Sequence, residues 1–187
     1  MAMFDAEDFV AECLIALREG EPIVALKEIV SRAISTPAAL NARFPLPLDP
    51  DDDGILYRSG ELTVTSAIFP RGFSTGIHNH TVAAVIGVWT GSEENFLYEQ
   101  SVRGVTLTDA IRVEQGQLLT LTSNAIHDVQ IRPSSWSGAL HVYLGDIVGI
   151  SRSEWPVAIA DAEMFDGEGL HERWFTAANA TGLIAEV

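Results

Sequence analysis

Gly72-Phe73-Ser74-Thr75-Gly76-Ile77-His78-Asn79-His80 is the stretch on which the fold of this chain turns. In an extended strand, residues i and i+2 project to the same face, so His78 and His80 can offer two imidazoles to one ion. A further histidine, His127, closes a second glycine-led segment 47 positions after His80. A distant strand is therefore expected to supply the third ligand.

The intervals around these histidines are specific. Five residues separate Gly72 from His78, and ten separate His80 from Gly91. In the second segment five residues follow Gly116, then Thr122-Ser123-Asn124, then two residues before His127. These intervals resemble the two motifs of the cupin family, which implies an all-β fold, a jelly-roll-like double-stranded β-helix barrel around a metal. The family usually carries Glu in the first motif and Pro and Gly in the second. Here Ala84, Thr122 and Asn124 stand at those places. Asn tolerates the left-handed turn that Gly would supply. Without the Glu, the chain looks like the three-histidine branch, which includes the thiol dioxygenases.

Other segments carry the same resemblance. Ala139-Leu140-His141-Val142-Tyr143 resembles the Ser-x-His-x-Tyr strand of cysteine dioxygenases, with Ala139 in place of Ser. Tyr57-Arg58 resembles that family's carboxylate-binding arginine position. Thr36-Pro37-Ala38-Ala39-Leu40 and the run from Gly145-Asp146-Ile147-Val148-Gly149 through Arg173-Trp174-Phe175 are similar to bacterial cysteine-dioxygenase-like proteins, so the likeness spans roughly residues 20 to 175. The one cysteine, Cys13, lies far from the motifs, so a Cys–Tyr crosslink found in some members is not available.

The resemblance implies a site and a reaction. His78, His80 and His127 would hold Fe(II), although neutral imidazoles also suit nickel and zinc. Tyr143 would orient substrate or oxygen, with His141 holding its hydroxyl in place. By period two these residues share a strand face, so the pair could equally satisfy one another in the core. Arg58 would clamp a substrate carboxylate bidentately, with Arg71 and Arg132 near the motif turns as alternatives. The expected reaction converts a small thiol, such as cysteine or 3-mercaptopropionate, and dioxygen into a sulfinic acid. Two other readings remain open: a three-histidine dioxygenase cleaving a diketone-like molecule, and a cupin that binds a metal or small ligand without redox chemistry.

Composition narrows the partners. With 187 residues, 47% of them hydrophobic and 20% charged, the chain suits one globular domain. A net charge of −15 argues against nucleic acid and anionic membranes, both of which need clustered Lys and Arg. No basic, apolar leader is visible and one cysteine allows no internal disulfide, so a cytoplasmic monomer or homodimer is expected.

The chain divides into a helical segment (1–44), a barrel (55–150) and a tail packing back on it (151–187). Phe9, Val10, Cys13, Leu14 and Leu17 recur at helical spacing between Asp5 and Arg18, with Gly20 as the stop. Pro22 opens a second helix on Leu26, Ile29, Val30, Ala33 and Ile34, and Thr36 caps a third through Arg43. After the Pro- and Asp-rich stretch 45–54, strand patterns follow at Leu62–Ile68, Val82–Trp89, Asn95–Tyr98, Val102–Leu107, Leu118–Leu121, Ile126–Ile131 and Ala139–Leu144. His171, in a helical stretch with Glu168 and Glu172, reads as a surface residue.

Overall fold

Leu26, Val30 and Ile34 fall on one stripe of helix α2 (Pro22–Ile34), and burying that stripe sets the helical layer against the sheet. It lies on the outer face of strand β4 (Ala84–Thr90) beside Val85 and Trp89. Gly87 lets the helix come close, since a Cβ there would stand 2.4 Å from Val30 Cγ1. Helix α1 (Ala6–Ala16) buries Phe9, Val10, Cys13 and Ala16, and its Asp5 cap accepts from the Glu7 and Asp8 amides at 2.9 and 3.1 Å. Helix α3 (Pro37–Arg43) follows with Thr36 at its cap position, but the Thr36 side chain makes no capping bond. In this computed structural model the described residues are 4–185, so the extreme ends of the segments 1–44 and 151–187 lie outside them.

Two antiparallel sheets make up the rest. The first runs β1 (Ile55–Arg58), β2 (Thr63–Phe69), β9 (Ser137–Tyr143), β4 and β7 (Leu118–Leu121) in spatial order. The second runs β11 (Glu163–Met164), β10 (Ser153–Trp155), β3 (Ile77–Asn79), β8 (Ile126–Gln130), β5 (Ser92–Gln100) and β6 (Val105–Glu114). They pack face to face around a shared interior, as the expected all-β barrel. Its interior is lined by Ala84, Ile86 and Val88 of β4, Ala139 and Tyr143 of β9, and Leu119 and Leu121 of β7. Residues 138, 140 and 142 of β9 point the other way, towards the helices, so this strand is buried throughout. In α4 (Gly167–Ala180), Trp174 Nε1 donates to the Ile68 carbonyl at 2.7 Å and Ala178 is fully buried, which fastens the tail to β2.

Several local expectations give way to the structure. The strand expected from Val102 starts at Val105, because the chain turns first; Gly104 has φ +70°, and a Cβ there would meet the Ala158 carbonyl oxygen at 2.1 Å. Asn124 does not adopt the left-handed conformation. Among the described non-glycine residues Thr81 does, at φ +57°, one residue past His80. For a β-branched residue that region costs on the order of 1–3 kcal/mol, and the strain sits where the chain leaves the histidine pair for β4.

One carboxyl is fully buried in the second sheet without a charged partner among the described residues. Glu93 on β5 is 0% exposed; Ser137 Oγ donates to its Oε1 at 3.2 Å, and Oε2 has no partner among the described residues. Burial pushes its carboxyl up to about 7, only partly offset by the Ser137 hydrogen bond. A carboxyl raised above its unfolded value of 4.5 costs the fold nothing below that pH, costs progressively more as pH rises from 4.5 to about 7, and carries its full cost above that. The shift corresponds to ~3 kcal/mol. Glu93→Gln is therefore expected to be near neutral in urea melts at pH 4.5 and clearly stabilising at pH 8. Equal effects at both pH values would mean that Glu93 titrates normally.

Candidate metal centre

The backbone brings the three motif histidines together by register. His78 on β3 is paired directly with His127 on β8, and His80 follows two positions after His78. The loop before β3 is tied down by Asp128, the residue after His127. Its Oδ1 accepts from Ser74 Oγ at 2.8 Å and from the Gly76 amide at 3.1 Å. Gly76, at φ +75°, turns its carbonyl onto His78 Nδ1 at 2.9 Å. On the other side, Asn79 Oδ1 accepts from the Ser153 amide at 2.9 Å and ties the His-x-His strand to β10.

All three rings are buried, at 5%, 3% and 1% exposure for His78, His80 and His127. Their ligand atoms lie within 4.8 Å of one another, and His80 Nε2 is 3.1 Å from Nε2 of both His78 and His127. Ring nitrogens about 3 Å apart are close enough to share one ion at metal bonds of ~2.1 Å.

Proton placement gives an independent test of fit. The Gly76 carbonyl can only accept, so His78 carries its proton on Nδ1 and presents a bare Nε2. His127 Nδ1 meets Asn95 Oδ1 at 3.0 Å, with the same consequence. Burial lowers the His78 pKa to about 4 and holds His80 and His127 well below 6.5, with neighbouring imidazoles adding to the effect on the latter two. Near neutral pH three uncharged rings thus converge on one point. A proton on His80 Nε2 can point at only one of its two neighbours at a time and leaves the other ring's lone pair without a partner. A divalent cation satisfies all three at once, and neutral imidazole is the form that ligates.

Next to the rings stands the β9 pair. His141 Nδ1 is 2.8 Å from the Tyr143 hydroxyl, and the Tyr143 ring lies edge-on to His80 at 5.2 Å between centroids. Ala84, at the place where the resemblance would put a Glu, is paired across the sheet with Tyr143 and fully buried. Its methyl group leaves that wall of the site without a carboxylate. Burial raises the Tyr143 pKa, keeping it a phenol, and lowers that of His141 to about 3, keeping it neutral.

The arginines sort differently from the sequence reading. Arg58, on β1, is exposed and donates to Asp146 through Nε at 2.7 Å and Nη2 at 3.0 Å. A carboxylate clamp at Arg58 would require that ion pair to open. Arg71 bonds the Thr181 carbonyl at 3.3 Å, and Arg132 bonds Glu94 at 2.8 Å; both are exposed. The cation beside the cluster is Arg152, immediately before β10. Its charge acts on His78, His80 and Tyr143, and its guanidinium lies 3.8 Å from the centre of the Phe165 ring. Phe165 in turn packs 5.7 Å from the His78 ring. Among the described residues no carboxylate pairs with Arg152, and burial lowers its pKa. No motif marked this residue, which lies nine positions after Tyr143.

No family model matches the chain, and no curated protein does either. Several solved structures share part of its architecture. A DMSP lyase from Ruegeria pomeroyi is 20% identical over 50% of this chain and 43% of its own, with a TM-score of 0.40. Oxalate decarboxylase from Bacillus subtilis is 19% identical over 47% of this chain and 22% of its own, also at 0.40. A Bacillus halodurans protein is 13% identical over 63% of this chain and 80% of its own, at 0.46. The chain thus spans less than half the length of the lyase and of the decarboxylase. No helix among the described residues is long and apolar enough to cross a membrane.

Proposed function

We propose that this protein is an iron-dependent dioxygenase that converts a small, carboxylate-bearing thiol, such as cysteine or 3-mercaptopropionate, into its sulfinic acid. The observation that carries the reading is the placement around the three-histidine cluster of a buried Tyr143–His141 pair, against His80, and of Arg152, which reaches it over Phe165 and has no carboxylate partner among the described residues. The net reaction is RSH + O2 → RSO2H: sulfur gives up four electrons, dioxygen takes up four, and both oxygen atoms end on sulfur. Ferrous iron, when bound by His78, His80 and His127, supplies the one-electron chemistry that lets a thiol react with dioxygen. Three neutral ligands on one face leave positions for small molecules.

The chain's own residues do the rest. His141 Nε2 has no partner among the described residues, so its proton placement is decided by cost. A buried N–H without an acceptor is rarer than a bare acceptor, which favours the proton on Nδ1. His141 then donates to the Tyr143 oxygen, and the Tyr143 hydroxyl proton is free to point at a bound sulfur or oxygen atom. Arg152 offers its planar fork to the substrate carboxylate, and the Phe165 ring holds that fork at the cluster. With burial keeping Tyr143 protonated, the site presents one hydrogen-bond donor and one cation beside three neutral ligands.

Iron-loaded protein is expected to consume one dioxygen per sulfinate formed with 3-mercaptopropionate or cysteine, and zinc-loaded protein none, because zinc has no accessible redox change. An oxygen electrode with product analysis measures both. Iron-replete protein that takes up no oxygen with any thiol would refute the thiol dioxygenase and leave the diketone-cleaving dioxygenase and the non-redox ligand-binding protein.

A further inference from the structure

The three cluster histidines are anchored in three different ways. His78 Nδ1 is held by a backbone carbonyl, which no substitution removes. His80 Nδ1 has no partner among the described residues. His127 Nδ1 is held by a side chain, Asn95 Oδ1, at 3.0 Å. Asn95 sits on β5 diagonally across from His127: the register pairs Leu97 with His127 and Asn95 with Val129. Such diagonal neighbours on one sheet face are within side-chain reach. Asn95 is 0% exposed, yet its Nδ2 has no partner among the described residues.

We infer that Asn95 is a positioning residue that sets the His127 tautomer and thereby the affinity of the three-histidine site for a divalent cation; this rests on the metal reading above. The reasoning is stereochemical. With the amide oxygen towards His127, the ring proton must lie on Nδ1 and the Nε2 lone pair faces His80 Nε2. With the amide reversed, Nδ2 would donate to Nδ1, the ring proton would move to Nε2, and the ligand lone pair would be lost. The bond to His127 is the one side-chain hydrogen bond of Asn95 among the described residues, so the amide's orientation and the ring's tautomer are fixed together. A leucine would fill this interior position without an unsatisfied donor. Asn at this position therefore carries a cost that its bond to His127 explains, and outer partners of this kind commonly change metal affinity 10–100-fold.

Zinc affinity of the full-length chain, measured by chelator competition, tests the inference directly. Asn95→Leu is expected to raise the zinc Kd ~10–100-fold, while Asn95→Asp, whose carboxylate still accepts from Nδ1, stays within several-fold of wild type. Histidine nitrogen NMR of the metal-free wild type should show His127 protonated on Nδ1, and this resonance pattern should be lost in Asn95→Leu. That measurement needs no variant to fold, and Asn95→Ala serves if the leucine does not fit. An Asn95→Leu Kd equal to wild type, or a wild-type His127 protonated on Nε2, would overturn the role of Asn95 and leave the metal reading standing. A wild-type chain that binds no divalent cation would instead end the metal reading itself.

Discussion

His127→Ala is expected to abolish the metal-dependent rise in melting temperature. In wild-type protein, a cation bound by the folded state alone at 100 to 1,000 times its Kd stabilises that state by ~2.7–4.1 kcal/mol. For a chain of this length that is a shift on the order of 10 °C. The substitution removes the one ligand supplied by β8 and leaves two nitrogens from positions two apart on a single segment. It also lowers the metal-free baseline, since Asn95 loses its partner in a fully buried position. The informative quantity is the difference between melts with metal and with chelator, which should fall to near zero. His127→Gln, closer in size, provides the same comparison if the alanine variant is too unstable. A variant that keeps the wild-type metal increment would show that His127 is not a ligand.

The parts of the fold legible in the sequence were those where one physical signal dominated. The α2 boundaries follow from Pro22 and the Leu26, Val30, Ile34 stripe, and β7 falls where Leu118–Leu121 was expected. The short strands were not legible: Ile55–Arg58, Ser153–Trp155 and Glu163–Met164 have too few residues for a period to show, and they form because neighbours already in the sheet offer edges. On β6 the exposed run 106–110 carries almost no burial pattern, so nothing in it marks where the strand begins.

For the site, the division follows sequence distance. His78 and His80 are joined by strand geometry, and the motif interval placed His127 opposite them, which the β3–β8 register reproduces. The His141–Tyr143 contact follows from period two on one strand. Asn95 and Arg152 were invisible because their roles depend on cross-strand pairing and on what does not pair with them. Arg58 looks the same in sequence as Arg152, a lone arginine near a strand end. Only the position of Asp146, 88 residues further on, separates them. That carboxylate is held down to about 2, chiefly by the Arg58 hydrogen bond and then by the Gly149 amide, so the pair persists at any pH near neutral.

Arg152→Gln, accordingly, is expected to weaken use of carboxylate-bearing thiols far more than Arg58→Gln does. Removing one partner of a desolvated, hydrogen-bonded charge pair costs ~2–5 kcal/mol, equivalent to roughly 30-fold or more in affinity. The loss should appear in KM for 3-mercaptopropionate and cysteine, with a smaller change in kcat, because the carboxylate contact is present in both ground and transition states. Cysteamine, which has no carboxylate, should be nearly unaffected. Arg58→Gln breaks an exposed ion pair, and pairs of that kind contribute little. It should change KM for all thiols by no more than a few-fold. Initial rates of oxygen uptake with the three thiols decide the matter. Parallel losses for cysteamine and 3-mercaptopropionate in Arg152→Gln would make Arg152 a structural support of Phe165 and β10. A selective loss in Arg58→Gln would mean that the Asp146 pair opens on substrate binding and that the clamp lies on β1.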